Sequence, residues 1–203
     1  GKVPSCRSGY TCLKDYAQQT QTRAAVDGRC AAYTSQGTES AATIIAKVGE
    51  ACGVSQRAIL VLLEKEQSLV TDTWPGAGQY RSATGYGCPD TAGCDTRYYG
   101  FFNQVYNASS QFKRYAQNPY GYAHVAGRTQ SIRLHPNAAC GSVTVRIENQ
   151  ATASLYNYTP YTPNSALLAG SPDGCSSYGN FNFAKFYDDW FGRPNFPVIG
   201  AIA

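Results

Sequence analysis

The chain has 203 residues, a formal net charge of +4 and 15% charged side chains, against a typical ~25%. The apolar set makes up 43%, which supports a core and excludes intrinsic disorder, and no apolar run reaches the ~20 residues of a membrane-spanning helix. With no cluster of lysine and arginine, the mild positive charge points away from nucleic acid and towards anionic surfaces such as bacterial walls.

No repeat and no linker divides the chain, so a single domain over 1–203 is expected, with 1–37 as a disulfide-tethered N-terminal segment. The opening GKVPSCRSGY lacks the basic-then-apolar pattern of a signal peptide and reads as a processed or trimmed chain. A short helix is expected over 13–25. From Thr38, Ala41, Ile44, Ile45, Val48 and Cys52 form a helical stripe that Gly53 ends. Ser55 suits the N-cap of a second helix over 56–70. Residues 72–95 carry Pro and Gly at short intervals and read as an irregular loop. A helix over 96–117 places Phe102, Val105, Phe112 and Ala116 on one face, and Asn118-Pro119 stops it. Two alternating runs, 131–134 and 143–147, predict a small hairpin. Asn149 is placed to cap a helix through ATASLYNY, and Asn180 another through FNFAKFYDDWF, closed by Gly192 and Pro194. The fold class is therefore α+β, mainly α.

Eight cysteines stand at 6, 12, 30, 52, 88, 94, 140 and 175. An even count implies disulfides and secretion. Zinc needs tighter pairs backed by histidines; the closest spacings here leave five residues between cysteines, and the chain has two histidines. Neither a metal nor a cofactor is expected. Pairing is read as neighbour to neighbour: Cys6–Cys12, Cys30–Cys52, Cys88–Cys94 and Cys140–Cys175. Two sequons, at Asn107 and Asn157, are acceptors for glycans in a eukaryotic producer.

The helix over 56–70 holds the most informative residue. At about 100° per residue, Ile59, Leu62, Leu63, Leu69 and Val70 fall in one sector, and Leu60 and Val61 widen it. Glu66 lies in the middle of that sector, whereas Glu64 points to the far side. A carboxyl among apolar neighbours should keep its proton, because desolvation penalises the charged form, and a protonated carboxyl is what a general acid requires. The plainer alternative is that Glu66 pairs with an arginine or sits where the stripe reaches solvent.

The stretch Leu62-Leu63-Glu64-Lys65-Glu66-Gln67-Ser68-Leu69 resembles the catalytic helix end of the lysozyme-like superfamily, particularly goose-type lysozymes and soluble lytic transglycosylases. Gly100-Phe101-Phe102-Asn103-Gln104-Val105 looks like that family's cleft-lining Gly-apolar-apolar-Gln segment. Ala151-Thr152-Ala153-Ser154-Leu155-Tyr156-Asn157-Tyr158 looks like its Ala- and Tyr-bearing helix. Over 6–192 the phrases ATGYGCPD, YYGFFNQVY, LYNYTPYTPN and YGNFNFAKFYDDWFG are similar to a group of secreted actinobacterial and fungal lysozyme-like proteins. The resemblance implies a lysozyme-like fold with Glu66 as the catalytic acid. Goose-type enzymes carry an aspartate directly after the Gln segment, where Val105 and Tyr106 stand here. Asp95 and Asp90, and also Asp72, are the substitutes for a second carboxylate, although each reads more readily as a turn-forming aspartate.

Sugars stack their apolar faces on aromatic rings, with polar groups fixing the hydroxyls. Tyr80, Tyr86, Tyr98 and Tyr99 around the loop, Asn103 and Gln104, and Tyr156, Tyr158 and Tyr161 are the substrate-binding candidates; some of the tyrosines must belong to the core, and Gln104 equally suits a capped core glutamine. Trp74 is a candidate for the cleft edge, and Trp190 for the core. His124 and His135 lack a G-x-S-x-G nucleophile motif, so a Ser-His-Asp hydrolase is not expected.

The leading expectation is a secreted, monomeric muramidase that cleaves peptidoglycan between N-acetylmuramic acid and N-acetylglucosamine, with neither nucleic acid nor membrane as partner. The alternatives are a lytic transglycosylase using the same Glu66 to form anhydro-muropeptides, and a non-catalytic wall-binding lectin.

Overall fold

The computed structural model describes residues 5–90 and 92–192, so Pro194 lies outside the described residues. The fold is mixed α+β, mainly helical, with two small antiparallel sheets. The chain forms two compact units, 1–114 and 115–203. No Pro-, Gly- or Ser-rich linker marks this division, because the boundary falls inside a helix, α4 (Phe101–Gln117).

In the first unit, a 3-10 turn at Leu13–Asp15 leads into strand β1 (Ala17–Gln19), which pairs antiparallel with β2 (Thr38–Ser40). The helix expected over 13–25 does not form. The segment has no apolar stripe to bury, and Thr20 is bound across the hairpin: its hydroxyl donates to the Gly37 carbonyl at 3.1 Å and to the Glu39 carboxylate. The helix expected from the Ala41–Cys52 stripe appears as α1 (Ala41–Cys52); Ser40 Oγ accepts from Thr43 N–H and left-handed Gly53 closes it. The second, α2 (Gln56–Gln67), stops three residues before the predicted limit. Ser55 precedes it without a side-chain cap bond.

Within the expected loop, Ala77–Arg81 forms a short helix, α3. The helix expected over 96–117 divides into a 3-10 turn, Thr96–Tyr98, and α4. Gln18 supplies the cap at the start of α4, its Oε1 accepting from Phe102 N–H at 2.9 Å. One core joins these pieces: Tyr33, Ile44, Ile45 and Val48 meet Ile59, Leu63, Leu69, Phe101, Phe102 and Val105.

In the second unit, β3 (Arg128–Arg133) and β4 (Ser142–Ile147) form the predicted hairpin, with Arg128 opposite Ile147 and Arg133 opposite Ser142. Asn149 caps α5 (Gln150–Tyr158) as expected, and Ile132, Ile147, Ala153 and Tyr156 pack together. A further short helix, α6 (Ser165–Leu168), was not legible as a periodic run; Asn164 caps it. The last helix, α7 (Gly179–Phe191), starts after Tyr178 and closes at Gly192. Asn180 therefore lies inside the helix rather than capping it, and its amide donates to the Thr159 and Tyr161 carbonyls at 2.7 Å each.

The four cysteine pairs are the neighbour pairs: Cys6–Cys12, Cys30–Cys52, Cys88–Cys94 and Cys140–Cys175. Cys30–Cys52 ties the connection between β1 and β2 to the end of α1 across a sequence separation of 22; chain entropy makes such a closure worth about 3 kcal/mol, or roughly 10 °C in melting temperature. Dithiothreitol is accordingly expected to lower the melting temperature by at least that much in a thermal scan. An unchanged transition would contradict a stabilising role for the disulfides.

Candidate functional site

The middle of α2 is buried on every side: Val61, Leu62, Leu63 and Glu64 are all below a tenth exposed. Glu64 is thus an internal carboxylate, not an outward-facing one. It accepts from the backbone N–H groups of Val70 at 3.0 Å and Thr71 at 3.1 Å, and from the Thr71 hydroxyl at 2.5 Å. These bonds shape the chain reversal that follows the helix, in which Ser68 takes a left-handed conformation at φ 55. A serine pays steric strain there, and the Glu64 bonds to the next residues hold it in place.

Glu66 stands one turn-end beyond, as the penultimate residue of α2. Its side chain is 24% exposed, and its Oε1 lies 2.5 Å from the Lys65 ammonium, which is itself 4% exposed. The carboxyl is therefore not isolated in hydrocarbon, contrary to what the helical periodicity predicts. Neighbours in sequence do not normally face each other on a helix; burying the Lys65 ammonium requires an anion within reach, and Glu66 supplies it. The other oxygen, Oε2, faces the turn at Gly85: a Cβ placed on that glycine would stand 3.0 Å from Oε2.

The segment between α2 and this turn is cross-tied by amides and one aspartate. Asp72 accepts from Trp74 N–H and from Gln79 Nε2, both at 2.9 Å. Gln79 also donates to the Gln67 carbonyl at 2.7 Å, and Gln67 donates to the Ser82 carbonyl at 3.3 Å. Asp72 is therefore a turn-forming residue. Trp74 is exposed, with the Arg7 guanidinium 3.3 Å from its ring centre.

The two aspartates read as second carboxylates lie in and beside the Cys88–Cys94 loop. Asp90 is exposed. Asp95 caps the 3-10 turn, accepting from Arg97 N–H at 3.1 Å, while the Arg97 guanidinium binds both carboxylate oxygens at 2.6–3.1 Å. The side-chain hydrogen bonds from Arg97 hold the Asp95 carboxyl below its ordinary range. An anion so engaged is poorly placed to act as a base.

The aromatic candidates divide. Tyr80 belongs to the core: it stacks on Tyr16 with ring centres 3.8 Å apart and donates to the Thr11 carbonyl at 2.7 Å. Burial pushes its phenol well above the ordinary range. Tyr86, Tyr98 and Tyr99 are half-buried; Tyr86 and Tyr98 meet edge to face at 4.8 Å, and the Arg81 guanidinium lies 5.0 Å from the Tyr99 ring centre. Asn103 accepts from Arg23 at 2.6 Å and donates to the Tyr99 carbonyl at 3.0 Å, so its amide serves the fold. Gln104 is 0% exposed and bonded to backbone on both sides of its amide, so a direct contact from it to a sugar is not available.

In the second unit, Tyr156 is fully buried and its hydroxyl meets Thr162 Oγ1 at 3.1 Å. Tyr158 and Tyr161 are half-buried, and the Arg133 guanidinium lies 5.9 Å from the Tyr161 ring centre. His124 is partly buried, with its backbone clamped by the Asn157 amide at 2.8–2.9 Å; burial pushes its imidazole below the ordinary range. That clamp uses both polar atoms of the Asn157 side chain. Asn107 donates to the Asn103 carbonyl at 2.8 Å within α4, and Ser109 of its sequon is buried. Both sequon asparagines are thus employed in the fold.

Sequence periodicity did not single out Lys65, Glu64 or Gly85. An uninterrupted buried run ahead of Glu64 was the available signal for the first two; the third depends on a contact 19 residues away in sequence. A depression of about 530 Å³ lined by Asp27, Arg29, Glu50, Gly53 and Lys113 also lies on the first unit, and Glu66 does not border it. Among the described residues, no group of three His, Cys, Asp or Glu side chains could hold a metal ion.

No known protein family, curated protein or solved structure matches the chain.

Proposed function

We propose that the protein is a secreted muramidase of lysozyme-like fold that cleaves peptidoglycan between N-acetylmuramic acid and N-acetylglucosamine. One observation carries the proposal. Near the end of a buried helix, Glu66 has one carboxylate oxygen against a buried ammonium and the other beside Gly85, where the turn bears no side chain. Tyr86, Tyr98 and Tyr99 leave aromatic surface partly exposed in the segments around that turn, which suits the apolar face of a sugar. Four disulfides, and no helix among the described residues long and apolar enough to cross a membrane, fit an extracellular workplace.

In the cleavage step, Glu66 acts in its acid form, which the neighbouring Lys65 ammonium opposes, and gives its proton to the glycosidic oxygen as the C1–O bond breaks, so the leaving sugar departs as a neutral alcohol. The carboxylate left behind is stabilised by the Lys65 ammonium. Water then adds to the oxocarbenium carbon and loses a proton, which restores the acid.

A second reading is favoured by the commitment of Asp72 and Asp95 to turns. With Asp72 and Asp95 so engaged, the substrate's own 6-hydroxyl becomes the nucleophile and Glu66 accepts its proton. The product is then an anhydro-muropeptide, as in lytic transglycosylases.

Digestion of purified bacterial wall followed by mass spectrometry separates these outcomes. Muropeptides one water heavier than the anhydro forms indicate hydrolysis, and anhydro ends indicate transglycosylation. An intact wall that retains bound protein would contradict both and leave a wall-binding lectin.

A further inference from the structure

Gln104 secures the turn at Thr84, Gly85 and Tyr86 with its whole carboxamide. Its Oε1 accepts from the N–H groups of Thr84 at 3.2 Å and Tyr86 at 3.1 Å and from the Thr84 hydroxyl at 3.1 Å. Its Nε2 donates to the carbonyls of Tyr86 at 2.9 Å and Tyr98 at 2.8 Å. Both residues flanking Gly85 are therefore pinned to α4, and the amide has both its donors and its acceptor employed. A buried amide with this many partners is costly to disturb.

Gly85 itself has φ +69, and a Cβ there would lie 3.0 Å from Glu66 Oε2, 3.2 Å from its Cδ and 3.7 Å from Oε1. The turn is bolted down on both flanks by the five bonds to Gln104, whereas the partly exposed Glu66 side chain is held by its ion pair with Lys65. A methyl group at Gly85 would accordingly displace the carboxyl rather than the turn. Because Oε1 is occupied by Lys65, the oxygen at stake is the one left to meet a substrate.

Resting on the muramidase reading of Glu66, we propose that Gly85 and Gln104 are a pair of positioning residues. The buckled turn presents bare backbone to Oε2, fixes the orientation of the carboxyl and keeps open the path by which the glycosidic oxygen reaches it. Gln104 acts here through the turn, not through contact with sugar.

The test compares Gly85→Ala with Gly53→Ala. Gly53 has the same left-handed backbone at φ +58, yet a Cβ there would meet only Lys113 Nζ, at an ordinary 3.5 Å. The two variants share the backbone strain and differ in the contact with Glu66. With soluble, uncrosslinked glycan strands as substrate, Gly85→Ala is expected to lower kcat at least tenfold with KM within twofold. Gly53→Ala should keep kcat while losing a similar amount of thermal stability. Gln104→Glu, which sets a carboxylate against two carbonyls, should lower kcat in the same pattern and covers the case in which Gly85→Ala fails to fold. Equal kcat in Gly85→Ala and Gly53→Ala, with Glu66→Gln inactive, would overturn this inference alone. A normal kcat in Gln104→Glu would do the same. Full activity in Glu66→Gln would overturn it together with the muramidase reading.

Discussion

Glu39→Gln is expected to destabilise the first unit by about 3 kcal/mol at neutral pH, because it breaks a buried ion pair and its hydrogen bonds. Glu39 is 4% exposed and is the hub of the β1–β2 hairpin. Lys47 donates to its Oε1 at 2.5 Å and to the Thr34 carbonyl at 2.6 Å; Tyr33 donates to Oε2 at 2.7 Å, and Thr20 donates there too. Burial by itself would raise the carboxyl, but the hydrogen bonds from Lys47, Thr20 and Tyr33 outweigh it and bring it to about 2, from an ordinary 4.5. A carboxyl depressed in the folded state adds stability that is fully present above the unfolded value and fades as pH falls through the folded one. Wild-type stability should therefore decline between pH 4.5 and pH 2, and the gap to Glu39→Gln should narrow over the same interval. Urea denaturation at pH 7 and pH 3 measures both effects. A variant as stable as wild type at pH 7 would show that the network contributes nothing.

The helical stripes of α1 and of the first half of α4, the β3–β4 alternation and the Asn149 cap were readable because each depends on spacing within one element. The neighbour pairing of the cysteines was likewise legible. What sequence periodicity misassigned depends on partners far along the chain. Thr20 and Gln18 look like loop residues until Glu39 and the start of α4 arrive beside them. Gln104 looks like a ligand for sugar until Thr84, Tyr86 and Tyr98 surround its amide. The Glu64 error has a similar origin: its helical angle faces away from the apolar sector, but the chain folds back over that side and offers N–H groups at Val70 and Thr71. Periodicity set Glu66 among apolar neighbours and could not foresee its pairing with Lys65, since adjacent helical residues have no reason to meet unless one of them is being buried.

The general-acid role of Glu66 stands or falls on a single substitution. Glu66→Gln keeps the size and shape of the side chain but cannot deliver a proton, and positioned acid catalysis contributes about 10²–10⁴ in rate. The variant is expected to lose some stability, since it takes the Glu66 anion away from a Lys65 side chain that is only 4% exposed. Lys65 would then lose its anion, so circular dichroism and the melting curve must accompany the assay. The decisive measurement is the rate at which purified peptidoglycan releases new reducing or anhydro ends with wild type and with folded Glu66→Gln, side by side. A fall of at least a hundredfold (about 10² or more) is the predicted result. Unimpaired release by the folded variant would contradict the assignment of Glu66 as the catalytic acid.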